Sequence, residues 1–240
     1  MSEITLVDLV RNGTINAEIA ATLWSIVAEK HSFMIVAVPR FAGKSTVGDA
    51  MLQFVSDDVP VHQLSGEESE MEQLQQHADG GYLVVGEFSN APVPRYIWGS
   101  PVRKVFETMR AGYSLSTALH APTVEEAYAA ISQGNDVADE DASKISYMVY
   151  IERMGDDLDS FWRRVAEVHE VDRVVDGKPQ GRLLHRWDAQ ADRFERVAEP
   201  RLLTVGSQKI AERASQIAEL ASSDQTGVAA IRTLVANSQR

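Results

Sequence analysis

Residues 33–46 of the chain read Phe-Met-Ile-Val-Ala-Val-Pro-Arg-Phe-Ala-Gly-Lys-Ser-Thr, and this stretch decides the expected fold. The apolar run from Phe33 to Val38 predicts a buried strand, and the apolar spacing after Gly43 predicts a helix to about residue 55. A strand, a turn ending in Gly-Lys-Ser and a helix, in this order, are typical of a loop that cradles phosphate groups. The stretch therefore predicts a phosphate-binding loop in an α/β protein.

The predicted loop carries groups that suit a nucleotide and its metal ion. N–H groups near Gly43 and the helix start would face the β-phosphate, because the positive end of the helix dipole lies there. Lys44 would reach the β- and γ-phosphates of ATP, and the Ser45 hydroxyl would bind Mg²⁺. The expected nucleotide-binding residues of the loop are Phe41, Ala42, Gly43, Lys44, Ser45 and Thr46.

The loop departs from the full motif at two places. Val38 stands where the motif has glycine, and Arg40 and Phe41 stand where small residues are usual. A β-branched residue is poor wherever φ must be positive, and bulky side chains would narrow the loop. The alternative interpretation is an ordinary strand, turn and helix in which Gly-Lys-Ser occurs by chance.

Two further apolar runs end in polar side chains that could serve the same site. Tyr82 to Glu87 forms a predicted strand ending in a carboxylate, and Ser114 to His120 forms one ending in an imidazole. We expect the strand before Glu87 to lie beside the phosphate strand, so that this carboxylate orients the attacking water and contacts Mg²⁺ through water. Because ligands bind at the C-terminal ends of parallel strands, His120 would sense the γ-phosphate. A surface glutamate and a structural histidine are the alternatives.

Strands and helices alternate along the first two thirds of the chain, which predicts a parallel sheet with helices on both faces. After about residue 160 the pattern favours two or three antiparallel strands, with a hairpin at Asp176 and Gly177. Two helices are expected near the end of the chain, over about 208–222 and 227–237. We therefore expect a nucleotide-binding core over 1–160, an antiparallel β extension of the same domain over 161–200 and a helical appendage over 201–240.

Composition narrows the function classes. Lysine and arginine number 23 against 35 acidic residues, and a net charge of −12 argues against a nucleic-acid-binding protein. Cysteine is absent, which excludes disulfides, thiolate metal sites and a cysteine nucleophile. The acidic start lacks the pattern of a signal peptide, and the longest apolar run has six residues, too few to span a membrane. We expect a cytoplasmic protein that reaches a membrane only through partners.

The three strand ends, in this order, resemble those of the ATPases that drive type II and type IV secretion and the assembly of type IV and Tad/Flp pili. Gly86-Glu87 is similar to the end of the Walker B strand in that family, residues 116–121 to its histidine box, and residues 163–171 to an arginine strand leading to a Glu-Val pair. The resemblance implies a RecA-like domain that uses ATP and Mg²⁺, with Lys44 and Glu87 as catalytic residues. It also implies a homo-oligomer, hexameric in the family, that works with inner-membrane or other components of a secretion or pilus machine.

The chain differs from this family in ways that bear on catalysis. Phe88 and Ser89 follow Glu87 where the family has Arg and then Asp or Gly, and residues 71–81 form a short segment without arginine. Relatives carry a longer segment there, whose arginines reach the phosphates of the neighbouring subunit. Arg40, Arg103 or Arg110 could replace that transition-state arginine. The large N-terminal domain of the family also lacks a counterpart, so we expect a divergent member without it.

Two interpretations of function remain open. The first is a secretion or pilus ATPase that couples MgATP binding or hydrolysis to subunit motion, and the intact Gly-Lys-Ser-Thr and Glu87 favour it. The second is a degenerate nucleotide-binding accessory subunit with little or no hydrolysis, which the altered loop and the missing arginines favour.

Overall fold

The computed structural model describes residues 3–39, 41–155, 161–223 and 227–238. The helices are α1 (Leu6–Arg11), α2 (Ala17–Ala28), α3 (Lys44–Leu52), α4 (Glu68–His77), α5 (Ser100–Met109), α6 (Val124–Ser132), α7 (Asp139–Ala142), α8 (Ser207–Ser222) and α9 (Val228–Ser238). The strands are β1 (Ser32–Val36), β2 (Val61–Gln63), β3 (Gly81–Val84), β4 (Glu87–Phe88), β5 (Tyr96–Ile97), β6 (Tyr113–Leu119), β7 (Ile145–Met154), β8 (Trp162–Val175), β9 (Lys178–Asp188) and β10 (Arg193–Arg196). None of these helices combines the length and the apolar character needed to cross a membrane.

Eight of these strands form one sheet in the order β10-β9-β8-β7-β1-β6-β3-β2. The strands from β7 to β2 in this order pair in parallel, whereas β8, β9 and β10 are antiparallel to their neighbours. The β8–β9 hairpin turns at Asp176 and Gly177, whose φ values of 52° and 70° suit a two-residue turn. The predicted α/β fold, with a parallel sheet and an antiparallel β extension, is confirmed.

Strand β1 shows why the sheet is covered on both faces. Phe33 and Ile35 pack with α1, α2, α3, α8 and α9, whereas Met34 and Val36 pack with α4, α5 and α6. Successive side chains of a strand point to opposite faces, and a strand buried on both sides is apolar at every position. The uninterrupted apolar run before the loop is therefore the mark of a central strand.

The expected position of the strand before Glu87 is wrong. Strand β3 does not lie beside β1, because β6 is inserted between them and Ser116 pairs with Phe33 on one side and with Val84 on the other. Chain order gives the sequence of strands but not their order in the sheet. Strand β6 is buried along nearly its whole length, as a strand with neighbours on both sides is.

Glu87 also lies off the main sheet. Strand β3 ends at Val84, and Glu87 belongs to β4, which pairs in parallel with β5 in a separate two-stranded sheet. A Cβ at Gly86 would lie 2.9 Å from the carbonyl oxygen of Arg95. Glycine is therefore required where the chain leaves the sheet, and the Gly-Glu pair marks that departure.

A buried carboxylate attaches the chain that follows β10 to the sheet. Glu170 is fully buried and accepts hydrogen bonds from the backbone N–H groups of Arg201 and Leu202 and from the Tyr147 hydroxyl. Its other oxygen lies 3.1 Å from Arg182 Nε, an ion pair whose alignment falls short of a hydrogen bond. Glu170 thus ties β7, β8, β9 and the C-terminal segment together.

A second carboxylate continues this attachment toward α8. Glu29 accepts hydrogen bonds from the N–H groups of Thr204 and Val205 at 2.7 and 2.8 Å. Burial opposes the charged form, but these N–H groups outweigh it and hold the pKa of Glu29 below its usual value. Helix α8 then packs on α2, where the Arg213 guanidinium lies 4.7 Å from the Trp24 ring centroid. The two predicted C-terminal helices are present and α8 is part of the core.

Replacing Glu170 by glutamine should lower the free energy of unfolding by about 3 kcal/mol, because Arg182 would lose its buried charged partner and keep only the more exposed Asp172, 3.3 Å away. Urea denaturation measures this. Glu195→Gln is the matched control, since that carboxylate pairs with Arg186 and Arg193 near the surface and its loss should change little. Equal losses in the two variants would contradict the role given to Glu170.

A buried histidine on β9 makes stability depend on pH. His185 is 2% exposed, its Nε2 lies 2.9 Å from the Thr22 hydroxyl, and its Nδ1 has no hydrogen-bond partner among the described residues. Burial, with a smaller contribution from the charge of Arg196, lowers the pKa of His185 from 6.5 to about 4. The folded protein therefore holds this imidazole neutral.

The His185 side chain binds a proton near pH 6.5 in the unfolded chain and only near pH 4 in the folded chain. The contribution of His185 to the free energy of unfolding is therefore complete above pH 6.5 and is lost as the pH falls toward 4. We expect about 2 kcal/mol of loss from this group between about pH 7 and pH 5. Denaturation of wild type and His185→Asn at both pH values checks this, because the variant should lose less. The same pH dependence in both proteins would contradict the assignment.

Candidate functional site

The predicted phosphate loop ends at a glycine that caps α3. Gly43 has φ 92° and ψ 20°, in the left-handed region that favours glycine, and α3 begins at Lys44. A Cβ at Gly43 would also lie only 3.0 Å from Cδ of Arg163. The first-turn N–H groups of α3 have no acceptor within the helix and are available to an anion.

The bulky side chain of Phe41, two residues before Gly43, does not block the loop. Phe41 has φ 61°, and its side chain is 68% exposed. A cleft of about 580 Å³ lies beside the loop, a size that suits a nucleotide. The predicted residues from Phe41 to Ser45 all line it, whereas Thr46 lies one residue further along α3 and does not line it. Arg40 lies outside the described residues.

Three side chains from three elements meet at this cleft. Lys44 Nζ at the start of α3 lies 3.1 Å from Glu87 Oε2 on β4 and 3.0 Å from His120 Nε2, just after β6. His120 Nδ1 lies 2.9 Å from the carbonyl oxygen of Val38, so Nδ1 carries the proton and donates it. Nε2 of the neutral ring then accepts from the Lys44 ammonium. The structure brings together Lys44, Glu87 and His120, which are up to 76 residues apart in the sequence.

The Glu87 carboxylate is buried and only half satisfied. It is 2% exposed, and its Oε1 has no hydrogen-bond partner among the described residues. His120 Nε2 lies 3.5 Å from Oε1, but the pair is not aligned as a hydrogen bond. Burial lowers the pKa of Lys44, and Glu87 offsets part of that effect. An unpaired buried acceptor beside a cleft is a place for a water molecule or another donor.

The residues present fit a nucleotide with Mg²⁺. Ser45 and Glu87 both line the cleft, and a hydroxyl and a carboxylate are ligands that Mg²⁺ takes together with phosphate oxygens and water. The described residues contain no group of three or more acidic, histidine or cysteine side chains placed to hold a metal ion. Such a metal ion would depend on the nucleotide for much of its coordination.

Two of the expected substitute arginines lie elsewhere. Arg110 Nε donates to Asp141 at 3.0 Å, and Arg103 Nη1 donates to the carbonyl oxygen of Asn135 at 3.0 Å. Neither side chain lines the cleft. Among the described residues, the arginine that contacts the loop is Arg163, which belongs to the stretch that resembles the family but for which the sequence predicts no role. No local pattern reveals it, because the contact joins positions 122 residues apart.

Comparisons with known proteins give a likeness in fold. No family profile and no curated protein matches the chain in sequence. Among solved structures it is similar to the VirB11 ATPase of the Brucella suis type IV secretion system in complex with sulphate, with a TM-score of 0.47 and 13% identity, covering 64% of this chain. It is also similar to the Legionella pneumophila ATPase DotB, with a TM-score of 0.44 and 12% identity, covering 90% of this chain. The chain covers 52% and 60% of those chains, less than two thirds of either, so no residue role is taken from them.

Proposed function

We propose that the protein binds MgATP in this cleft and hydrolyses it, and that it works as an ATPase of a secretion or pilus-assembly machine. The observation that carries the proposal is the meeting of Lys44, Glu87 and His120 beside the N-terminus of α3. The machine is suggested by the sequence resemblance of the strand ends. The protein would act on the cytoplasmic side of a membrane and reach it through partner proteins.

Each residue of the cleft has a chemical role in this proposal. The N–H groups of the loop would hold the β-phosphate, and Lys44 would reach the β- and γ-phosphates. Ser45 would hold Mg²⁺, which when bound neutralises charge on the phosphate oxygens. Glu87 Oε1, the unpaired acceptor, would orient the attacking water and take its proton. His120 would follow the position of Lys44, because one ring nitrogen accepts from that ammonium.

Nucleotide binding would break the ion pair that Lys44 and Glu87 form in the nucleotide-free cleft. Lys44 cannot serve the phosphates while it stays 3.1 Å from Glu87, so the triphosphate would replace Glu87 as its partner. Glu87 would then be free to bind water. The neutral His120 ring suits this exchange, because its Nε2 accepts a hydrogen bond from the Lys44 ammonium and carries no charge of its own.

The second candidate is a nucleotide-binding accessory subunit without hydrolysis. One observation favours it: among the described residues that line the cleft there is no arginine to stabilise the transition state. Such an arginine contributes about 10³-fold or more to the rate in related chemistry. In this case the same exchange at Lys44 would report nucleotide occupancy to a partner without turnover.

Steady-state ATP hydrolysis by the purified protein separates the two candidates. Hydrolysis by wild type should fall by about 10²-fold or more in Glu87→Gln, because the variant loses the base. Its nucleotide affinity should be kept or rise, because no carboxylate competes with the phosphates for Lys44. Lys44→Ala should lose both affinity and turnover. Lys209→Ala is the control, since that lysine pairs with Glu212 on the surface of α8.

Turnover that is equal in wild type and both cleft variants would contradict the ATPase proposal. Nucleotide binding by wild type without turnover above the buffer rate would favour the accessory subunit.

The rim of the cleft supports a homo-oligomer with nucleotide between subunits. Three large apolar side chains that line it are exposed by 45–68%, namely Val38, Phe41 and Val93. Exposed apolar side chains grouped in one place mark an interaction site more often than single ones do. We take the partner to be a second copy of the chain.

Light scattering of the protein with and without MgATP should show a larger particle when nucleotide is present. Val93→Ser should reduce that increase, because it removes apolar surface from the rim. Val197→Ser is the matched control, since Val197 is 49% exposed and is not among the rim residues. A monomer under every condition, in wild type and both variants, would contradict the homo-oligomer.

A further inference from the structure

Arg163, on β8, reaches across the phosphate loop. Its Nε and Nη2 lie 3.2 and 2.9 Å from the carbonyl oxygen of Phe41, so two N–H groups of one guanidinium converge on a single acceptor. Its Cδ lies 3.0 Å from the place a Cβ would take at Gly43. The side chain therefore spans residues 41–43, bound to the Phe41 carbonyl and packed against Gly43.

The backbone of Phe41, which Arg163 contacts, has an unfavourable conformation. Phe41 has φ 61°, a conformation that residues with a side chain seldom adopt and that persists where the surroundings impose it. In a trans peptide the C=O and N–H groups point in opposite directions. Drawing the Phe41 carbonyl toward Arg163 therefore turns the Ala42 N–H away from Arg163, and Ala42 lines the cleft.

Arg163 occupies a position that is unfavourable for a cation. It stands opposite Arg153 in the β7–β8 register, and both guanidinium groups lie within 4.6 Å of the Phe161 ring centroid. Like charges placed opposite each other destabilise a sheet. No carboxylate of the described residues pairs with Arg163, and burial together with the charge of Arg153 lowers its pKa. The Phe161 ring offsets part of this repulsion, and among the described residues the Phe41 carbonyl is the acceptor that the Arg163 side chain contacts.

We propose that Arg163 is a positioning residue of the phosphate loop, whose guanidinium holds the Phe41 carbonyl so that the Ala42 and Gly43 N–H groups face the bound phosphate. The identity of the ligand rests on the function proposed above, whereas the contact itself does not. By this contact Arg163 supports a loop that lacks the first glycine of its motif. It also makes strand β8 part of the nucleotide site.

An arginine that holds the loop and an arginine that touches the nucleotide have different effects on the affinities for ADP and ATP. The N–H groups of the loop serve the β-phosphate, which ADP and ATP share, so loss of Arg163 should weaken both nucleotides equally. An arginine that moved onto the γ-phosphate would affect ATP alone. The ratio of the two losses therefore decides between the two roles.

The experiment compares wild type with Arg163→Ala and Arg163→Lys, and uses Arg173→Ala as control. Arg173 lies on the same strand and donates to Gln180 rather than to the loop. Fluorescent ADP and ATP analogues with Mg²⁺ give dissociation constants, and hydrogen exchange of residues 38–46 without nucleotide reports the loop directly. Arg163→Ala should weaken both nucleotides by about tenfold and speed exchange in the loop. Arg163→Lys, with one point charge in place of a fork, should restore part of both.

Loop exchange that is unchanged in both Arg163 variants, or a loss confined to ATP, would overturn the proposal. If wild type binds neither nucleotide, the proposed function fails, and hydrogen exchange still decides whether Arg163 holds the loop. If Arg163→Ala fails to fold, the exchange and affinities of Arg163→Lys give the same decision.

Discussion

The ion pair between Lys44 and Glu87 is the contact on which the site depends. Its atoms lie 3.1 Å apart, and the two side chains are only 10% and 3% exposed. Burial disfavours a charge on either side chain, so each charge is stabilised by the other when no phosphate is bound in the cleft. A triphosphate would be a better partner for Lys44 than a carboxylate is. Binding would then change the state of Glu87.

The fold supplies this pair through three departures of the chain from regular structure. Gly43 ends the loop in a left-handed conformation, Gly86 turns the chain off β3, and β6 ends just before His120. Because β6 lies between β1 and β3, its end is where the imidazole can contact both the loop and the carboxylate. The histidine is therefore the link between the two halves of the site.

Much of this arrangement could be predicted from the sequence, and the rest has a physical reason for escaping it. The elements followed from local patterns: the apolar run of β1, the helix after Gly43 and the Asp176-Gly177 hairpin are all present. The lysine, carboxylate and histidine were named because strand ends converge in a parallel sheet. Their roles in binding and catalysis remain proposals.

What escaped prediction was long-range. The insertion of β6 was missed because strand order in a sheet is not written in chain order. The contacts of Glu170 and Arg163 were missed because each joins residues far apart in the chain, 31 positions for Glu170 to Arg201 and 122 for Arg163 to Phe41. Arginine and glutamate on an exposed-looking strand carry no local sign of a buried partner.

An experimental structure with Mg²⁺ and a slowly hydrolysed ATP analogue tests the central claim most directly. The account predicts that the β- and γ-phosphates lie at the start of α3, that Lys44 has left Glu87 for them, and that a water molecule occupies the freed carboxylate. A nucleotide bound elsewhere, or bound in the cleft with the Lys44–Glu87 pair intact, would contradict it.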